Sequence, residues 1–157
     1  ENSMLENPHI TETTARHTAV IRLTIARAEI QKVMGPAYQE VMAAVAAQGL
    51  APTGPWFSYH LKMDPEMFDF EVGVPIPAAI TATGRVIASQ LPAARVARTV
   101  YRGPYEGLGS AWGEFMRWIE EQQLQPADDL WECYVAGPES GPDAAHWRTE
   151  LNRPLRA

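Results

Sequence analysis

The chain states nearly the same pattern twice. Its first half runs Gly35-Pro36, a helix-compatible stretch, Leu50-Ala51-Pro52, a strand-like run from Trp56, and Glu71-Val72-Gly73-Val74-Pro75-Ile76. Its second half runs Gly103-Pro104, a second such stretch, Leu124-Gln125-Pro126, a run from Trp131, and Glu150-Leu151-Asn152-Arg153-Pro154-Leu155. Matching landmarks stand 68 residues apart at Gly-Pro, 74 at Leu-x-Pro, 75 at Trp and 79 at Glu-x-x-x-Pro. Small loop insertions in the second copy account for that drift. A duplicated unit is expected to pack as a pseudo-twofold pair with a central ligand cleft between its halves.

Within each copy, periodicity supplies the elements. Ile21, Leu23 and Ile25 alternate with Arg22 and Thr24, which marks a half-buried strand over 17–26. Pro36 sits where a helix can begin, Tyr38, Val41, Met42 and Val45 follow at helical spacing, and Gly49 ends the run. Strands are expected over 56–62 and 68–74, joined by a turn at Asp64-Pro65-Glu66. A weaker strand signal covers Gly84–Ser89, and Arg95–Arg102 opens the second copy. Leu108, Trp112, Phe115, Met116 and Ile119 form the apolar stripe of a second helix, with Glu114, Arg117, Glu120 and Glu121 on its solvated side. Leu130–Ala136 and 147–154 close the chain as strands around a Gly/Pro-rich loop, Gly137–Pro142. The fold class is therefore α+β: duplicated β-α-β-β units forming an antiparallel sheet with two helices on one side. Residues 1–16 read as a tag remnant (Glu1-Asn2-Ser3) and an N-terminal lead-in, and 17–157 as a single domain with repeat halves of about 17–76 and 95–155.

Composition narrows the function classes. The net charge is −6, and Arg85, Arg95, Arg98 and Arg102 are scattered among apolar residues. No basic stripe points to direct contact with nucleic acid. No apolar run approaches the ~20 residues of a membrane span. The single cysteine, Cys133, leaves no internal disulfide and suits a cytoplasmic location. His9, His17, His60 and His146 lack metal-ligand spacing, and no phosphate loop, nucleophile elbow or dinucleotide fingerprint occurs. Neither a metal nor a cofactor is expected.

One residue stands out. Glu132 interrupts the otherwise apolar run Leu130-Trp131-Glu132-Cys133-Tyr134-Val135. Alternation leaves two readings open. Leu130, Glu132 and Tyr134 face solvent while Trp131, Cys133 and Val135 fill the core, or Glu132 is a carboxylate at the floor of an aromatic cleft. An unpaired buried carboxylate is costly and is kept where it meets a cation or moves a proton. Trp56, Phe57, Tyr59, Tyr105, Trp112, Tyr134 and Trp147 are the expected walls, suited to stacking and cation–π contact. The first copy holds Phe57, Ser58 and Tyr59 on the matching strand, so the acid breaks the internal symmetry.

The ordered set Tyr101-Arg102-Gly103-Pro104-Tyr105, Ala111-Trp112-x-x-Phe115-x-x-Trp118, Trp131-Glu132-Cys133-Tyr134-Val135-x-Gly137-Pro138 and Trp147-Arg148-Thr149-Glu150-Leu151-x-x-Pro154-Leu155 resembles the GyrI-like small-molecule-binding family, the effector-binding domain also found in AraC-type and MerR-type bacterial regulators. The resemblance covers about His17 to Leu155. It implies a duplicated β-α-β-β fold, a key acid at Glu132 and a pocket aromatic at Trp147. It also implies lipophilic or cationic aromatic ligands, as in multidrug sensing. Two further activities known in the family are hydrolysis of cyclopropanoid DNA-alkylating compounds, for which Glu132 would be the catalytic base, and gyrase inhibition through protein contact. The expected function is stand-alone small-molecule binding, with those two as alternatives.

Overall fold

A computed structural model describes residues 4–63, 66–138 and 141–156. The residues Asp64 and Pro65 of the expected turn lie outside this range. So do Glu1-Asn2-Ser3 and part of the Gly137–Pro142 loop. In chain order the elements are β1 (Leu5–Glu12), β2 (Arg16–Ala26), α1 (Ile30–Ala47), β3 (Phe57–Met63), β4 (Met67–Pro75), β5 (Ile87–Leu91), β6 (Arg95–Arg102), α2 (Leu108–Glu121), β7 (Leu130–Ala136) and β8 (Arg148–Pro154). The fold is α+β, with antiparallel strand pairing throughout these elements.

The chain divides into two compact units, Thr14–Ala93 and the remainder, which joins β1 to everything from Ala94 onward. In the first unit the strand order is β3-β4-β2-β5, and in the second it is β7-β8-β6-β1. Each is therefore β-α-β-β with a fourth strand laid on its edge. Strand β1 runs through the segment read from sequence as a lead-in. Its Asn7, at φ 51, and the register shift between Glu6 and His9 break the alternation that would have marked it.

In the Thr14–Ala93 unit, α1 packs on the sheet face formed by Ala19, Ile21, Phe70, Val72 and Val74, through Ala37, Val41, Ala44 and Val45. In the other unit, α2 packs through Ala111, Phe115 and Ile119 onto Ala97, Tyr101 and Leu151. Gly49, at φ 72, ends α1 as expected, its N–H donating to the Ala46 carbonyl. Pro36 corrects the sequence reading: α1 begins at Ile30 and Pro36 lies inside it. Gly35-Pro36 and Gly103-Pro104 are thus not counterparts. Pro104 precedes the 3-10 turn Tyr105–Gly107 at φ −72, ψ 157, and the residue in that role in the other unit is Ala26, at φ −63, ψ 142, before the turn Arg27–Glu29.

Strand register shows which residues correspond. Thr18 opposes Pro75 as Val96 opposes Pro154. Phe57 opposes Gly73 as Trp131 opposes Asn152. The spacing is 78 residues in β2/β6, 74 in β3/β7 and 79 in β4/β8. Both hairpins skip one residue at the same place, Leu61 in β3 and Val135 in β7. Trp131 thus matches Phe57 rather than Trp56, and a one-residue change of phase moves every side chain to the other face. The residues matching Glu132 and Tyr134 are Ser58 and His60.

Gly73 marks a close approach in β4. A Cβ there would meet the Ala19 carbonyl oxygen and come within 2.6 Å of Val20 Cγ1. Backbone in a paired strand cannot yield as a flexible side chain would. Gly73→Ala is expected to cost about 2–3 kcal/mol, read as a lower urea midpoint at unchanged slope.

Candidate functional site

The residues gathered around Glu132 belong to the unit containing α2. On β7, Glu132 opposes Leu151 and Tyr134 opposes Thr149, so both stand on the face that α2 covers. Trp131 opposes Asn152 and Cys133 opposes Glu150 on the other face. Leu130 and Trp131 are only 4% and 3% exposed, so both faces of the strand are covered at this end. Val135, expected in the core under one reading, is 53% exposed at the bulge. The reading that leaves Leu130, Glu132 and Tyr134 facing solvent fails, because Leu130 and Tyr134 are buried and Glu132 between them is half-buried.

Helix α2 brings Trp112 above the carboxylate. Trp112 Nε1–H donates to Glu132 Oε2 at 2.7 Å, and the Tyr134 hydroxyl donates to Oε1 at 2.9 Å. The Tyr105 ring meets Tyr134 edge-on at 5.9 Å between centroids and Trp147 at 5.1 Å. Trp147 is held by its own Nε1–H, which donates to the Gly141 carbonyl at 3.2 Å.

The turn that carries Tyr105 is fixed from below. Buried Tyr101 donates its hydroxyl to the Pro104 carbonyl at 2.8 Å. Gly103, at φ 143, and Gly107 leave room for that ring, since a Cβ on Gly107 would meet the Tyr101 hydroxyl. In the sequence Tyr101 stood out only as the first residue of the motif Tyr101-Arg102-Gly103-Pro104-Tyr105, and Gly107 had no assigned role.

Burial pushes the Glu132 carboxyl above the ordinary Glu range, while the hydrogen bonds from Trp112 and Tyr134 pull it back. Among the described residues, no cationic side chain pairs with Glu132. The anion is thus supported by two neutral donors and lacks a counter-charge. Trp112→Phe removes one donor and keeps most of the ring. It is expected to raise the Glu132 pKa further, as followed by carboxyl carbon NMR. An unchanged titration would show that the Trp112 hydrogen bond does not support the anion.

Five of the expected residues are thus brought together: Tyr105, Trp112, Glu132, Tyr134 and Trp147. The other three belong to the Thr14–Ala93 unit. Trp56 packs on Tyr38 of α1, with ring centroids 4.7 Å apart. Phe57 and Tyr59 oppose Gly73 and Glu71, which puts them on the sheet face away from α1. By register they correspond to Trp131 and Cys133, not to Glu132 and Tyr134. Among the described residues, no group of His, Cys, Asp and Glu is placed to hold a metal ion, and no helix is long and apolar enough to cross a membrane.

The family model described as GyrI-like small molecule binding domain matches residues 6–156. No curated protein matches the sequence. Among solved structures, the EcmrR C-terminal domain is similar at 25% identity and TM-score 0.82, over 96% of this chain and 97% of that one. EcmrR in its DNA complex with RPo is similar at 23% identity and TM-score 0.83, over 98% of this chain but only 58% of that one. This chain therefore spans little more than half the length of that EcmrR chain. SAV2435 bound to tetraphenylphosphonium has the same fold at 10% identity and TM-score 0.66, over 96% of this chain and 94% of that one.

Proposed function

Since the chain belongs to the GyrI-like small molecule binding domain family, we propose that it binds lipophilic aromatic cations at Glu132. The observation that carries this reading is the pairing of Glu132 with two neutral donors and no cation. A ligand cation would supply the missing counter-charge. Trp147 and Tyr105 offer aromatic faces beside it, and a cation over such a face gains about 0.5–2 kcal/mol. The tetraphenylphosphonium bound by SAV2435 is a cation of this class. The buried thiol of Cys133 suits work in the reducing cytoplasm.

The test is titration of tetraphenylphosphonium into the chain, followed by tryptophan fluorescence and calorimetry. Saturable binding that depends on Glu132 supports the reading, and binding of equal strength after Glu132→Gln ends it. Trp147→Ala is expected to weaken charged and neutral aromatic ligands alike by about 1–3 kcal/mol, because it removes stacking area. A loss confined to cations would show that Trp147 acts through charge alone.

A second reading draws on the raised Glu132 pKa. A carboxyl held above its usual range is a stronger base than a free Glu, and would serve a hydrolase of strained electrophiles such as cyclopropanoid alkylators. If Glu132→Gln binds such a compound normally and stops converting it, product analysis decides for catalysis.

A further inference from the structure

The Thr14–Ala93 unit carries a counterpart to four side chains of the Glu132 site. At the matching positions stand Arg27 for Tyr105, Ser58 for Glu132, His60 for Tyr134 and Phe68 for Trp147. The contacts correspond as well. Where Tyr105 lies against Trp147 at 5.1 Å, the Arg27 guanidinium lies over the Phe68 ring, with Cζ 4.4 Å from its centroid. We propose that Arg27 is a built-in occupant of this second aromatic site, and that it closes the Thr14–Ala93 unit to lipophilic cations and confines them to Glu132.

Three features support the assignment. A guanidinium over an aromatic face already uses the attraction that a ligand cation would seek there. Its charge repels a second cation at short range. The acid of the other unit also has no match here: Ser58 stands where Glu132 would be. His60 fits the same picture. It is 5% exposed, stacks on Phe70 at 5.0 Å and meets Phe68 edge-on at 5.0 Å. Burial, and then the charge of Arg27, lowers its pKa to about 4, so the ring is neutral near pH 7. Its Nε2 lies 3.2 Å from Ser58 Oγ, while buried Nδ1 has no hydrogen-bond partner among the described residues. This half thus keeps an aromatic wall and a polar floor, and its cation comes from the chain itself.

The inference rests on reading the Glu132 site as a cation site, but the test reads the other unit directly. Tetraphenylphosphonium is titrated into the full chain while the ring resonances of His60 and Phe68 are followed by NMR, with stoichiometry from calorimetry. The unmodified chain is expected to take up one cation, with His60 and Phe68 unmoved. Arg27→Ala is expected to take up a second, roughly tenfold or more weaker than the first because no carboxylate attends it, with both resonances shifting. Arg27→Gln keeps much of the stem over Phe68 and removes the charge, and should admit the cation more weakly than Ala. It also serves where Ala unfolds the unit. Arg27→Lys keeps the charge and should stay closed.

Saturable shifts of His60 and Phe68 in the unmodified chain would overturn the proposal, as would a silent response in both Arg27→Ala and Arg27→Gln. If the unmodified chain binds no cation at all, the Glu132 reading fails, and the Arg27 series still reports on its own site.

Discussion

Glu132→Gln is expected to weaken tetraphenylphosphonium binding by about 2–5 kcal/mol, which is roughly thirtyfold to several thousandfold in Kd. Gln keeps the shape of the side chain: its carbonyl oxygen can accept from Trp112 Nε1–H, and its amide can donate to the Tyr134 hydroxyl oxygen once that hydroxyl turns its own proton away. What it lacks is the charge, so the loss measures electrostatics rather than collapse of the site. The pH dependence follows from the raised pKa, whose first cause is burial. The cation pairs with the ionised form, so affinity is expected to rise as pH climbs through the raised Glu132 pKa. Binding below that value should release a proton, seen as a buffer-dependent heat. Stability without ligand runs the other way. A carboxyl that holds its proton more tightly in the folded state makes unfolding easier as pH rises from about 4.3, the free Glu value, through the folded one. Glu132→Gln removes that penalty and should be at least as stable as the parent at pH 8. Loss of both stability and binding in the variant would mean that the site had collapsed, and the charge argument would fall.

Phe115→Ala is expected to cost about 3–5 kcal/mol. Phe115 is fully buried at the centre of the α2 core and touches both Trp112 and Trp118, at 5.9 and 5.8 Å between centroids. The cavity would lie directly behind Trp112, so the Trp112–Glu132 hydrogen bond should loosen with it. Chemical denaturation reads the stability, and ligand titration at low temperature, where the chain remains folded, reads the site. A loss below about 1 kcal/mol would indicate that the core refills the space. The site would then not depend on this ring.

Element by element, periodicity was a good guide wherever one face meets the core and the other meets water. Strands β6 and β7 and helix α2 occupy the residues their patterns indicate, and β2 and β8 differ by a residue at one end. Strand β1 escaped notice because Asn7 and the register shift after Glu6 break its alternation. Pro36 misled for a related reason. Proline is most common at helix starts, but packing of Ile30, Val33 and Met34 against the same core carries α1 back to Ile30.

The amino-acid order by itself determined the α+β class, the family, and the identity of Glu132 as the one acid out of place in an apolar strand. Those follow from composition, period and the order of short motifs, all of which are local along the chain. Which face Glu132 occupies was decided only by tertiary structure. Leu130 and Trp131 are buried on opposite faces, so the alternation that distinguishes inside from outside is erased there. The correspondence of the two halves was decided the same way. A repeated Trp suggested a spacing of 75 residues, whereas strand pairing makes it 74. That single residue turns Phe57 and Tyr59 away from α1 and brings Ser58 and His60 to the place that Glu132 and Tyr134 hold in the other unit. Side chains on a strand alternate every residue, so register is set by hydrogen bonds to the neighbouring strand, and no local pattern contains it.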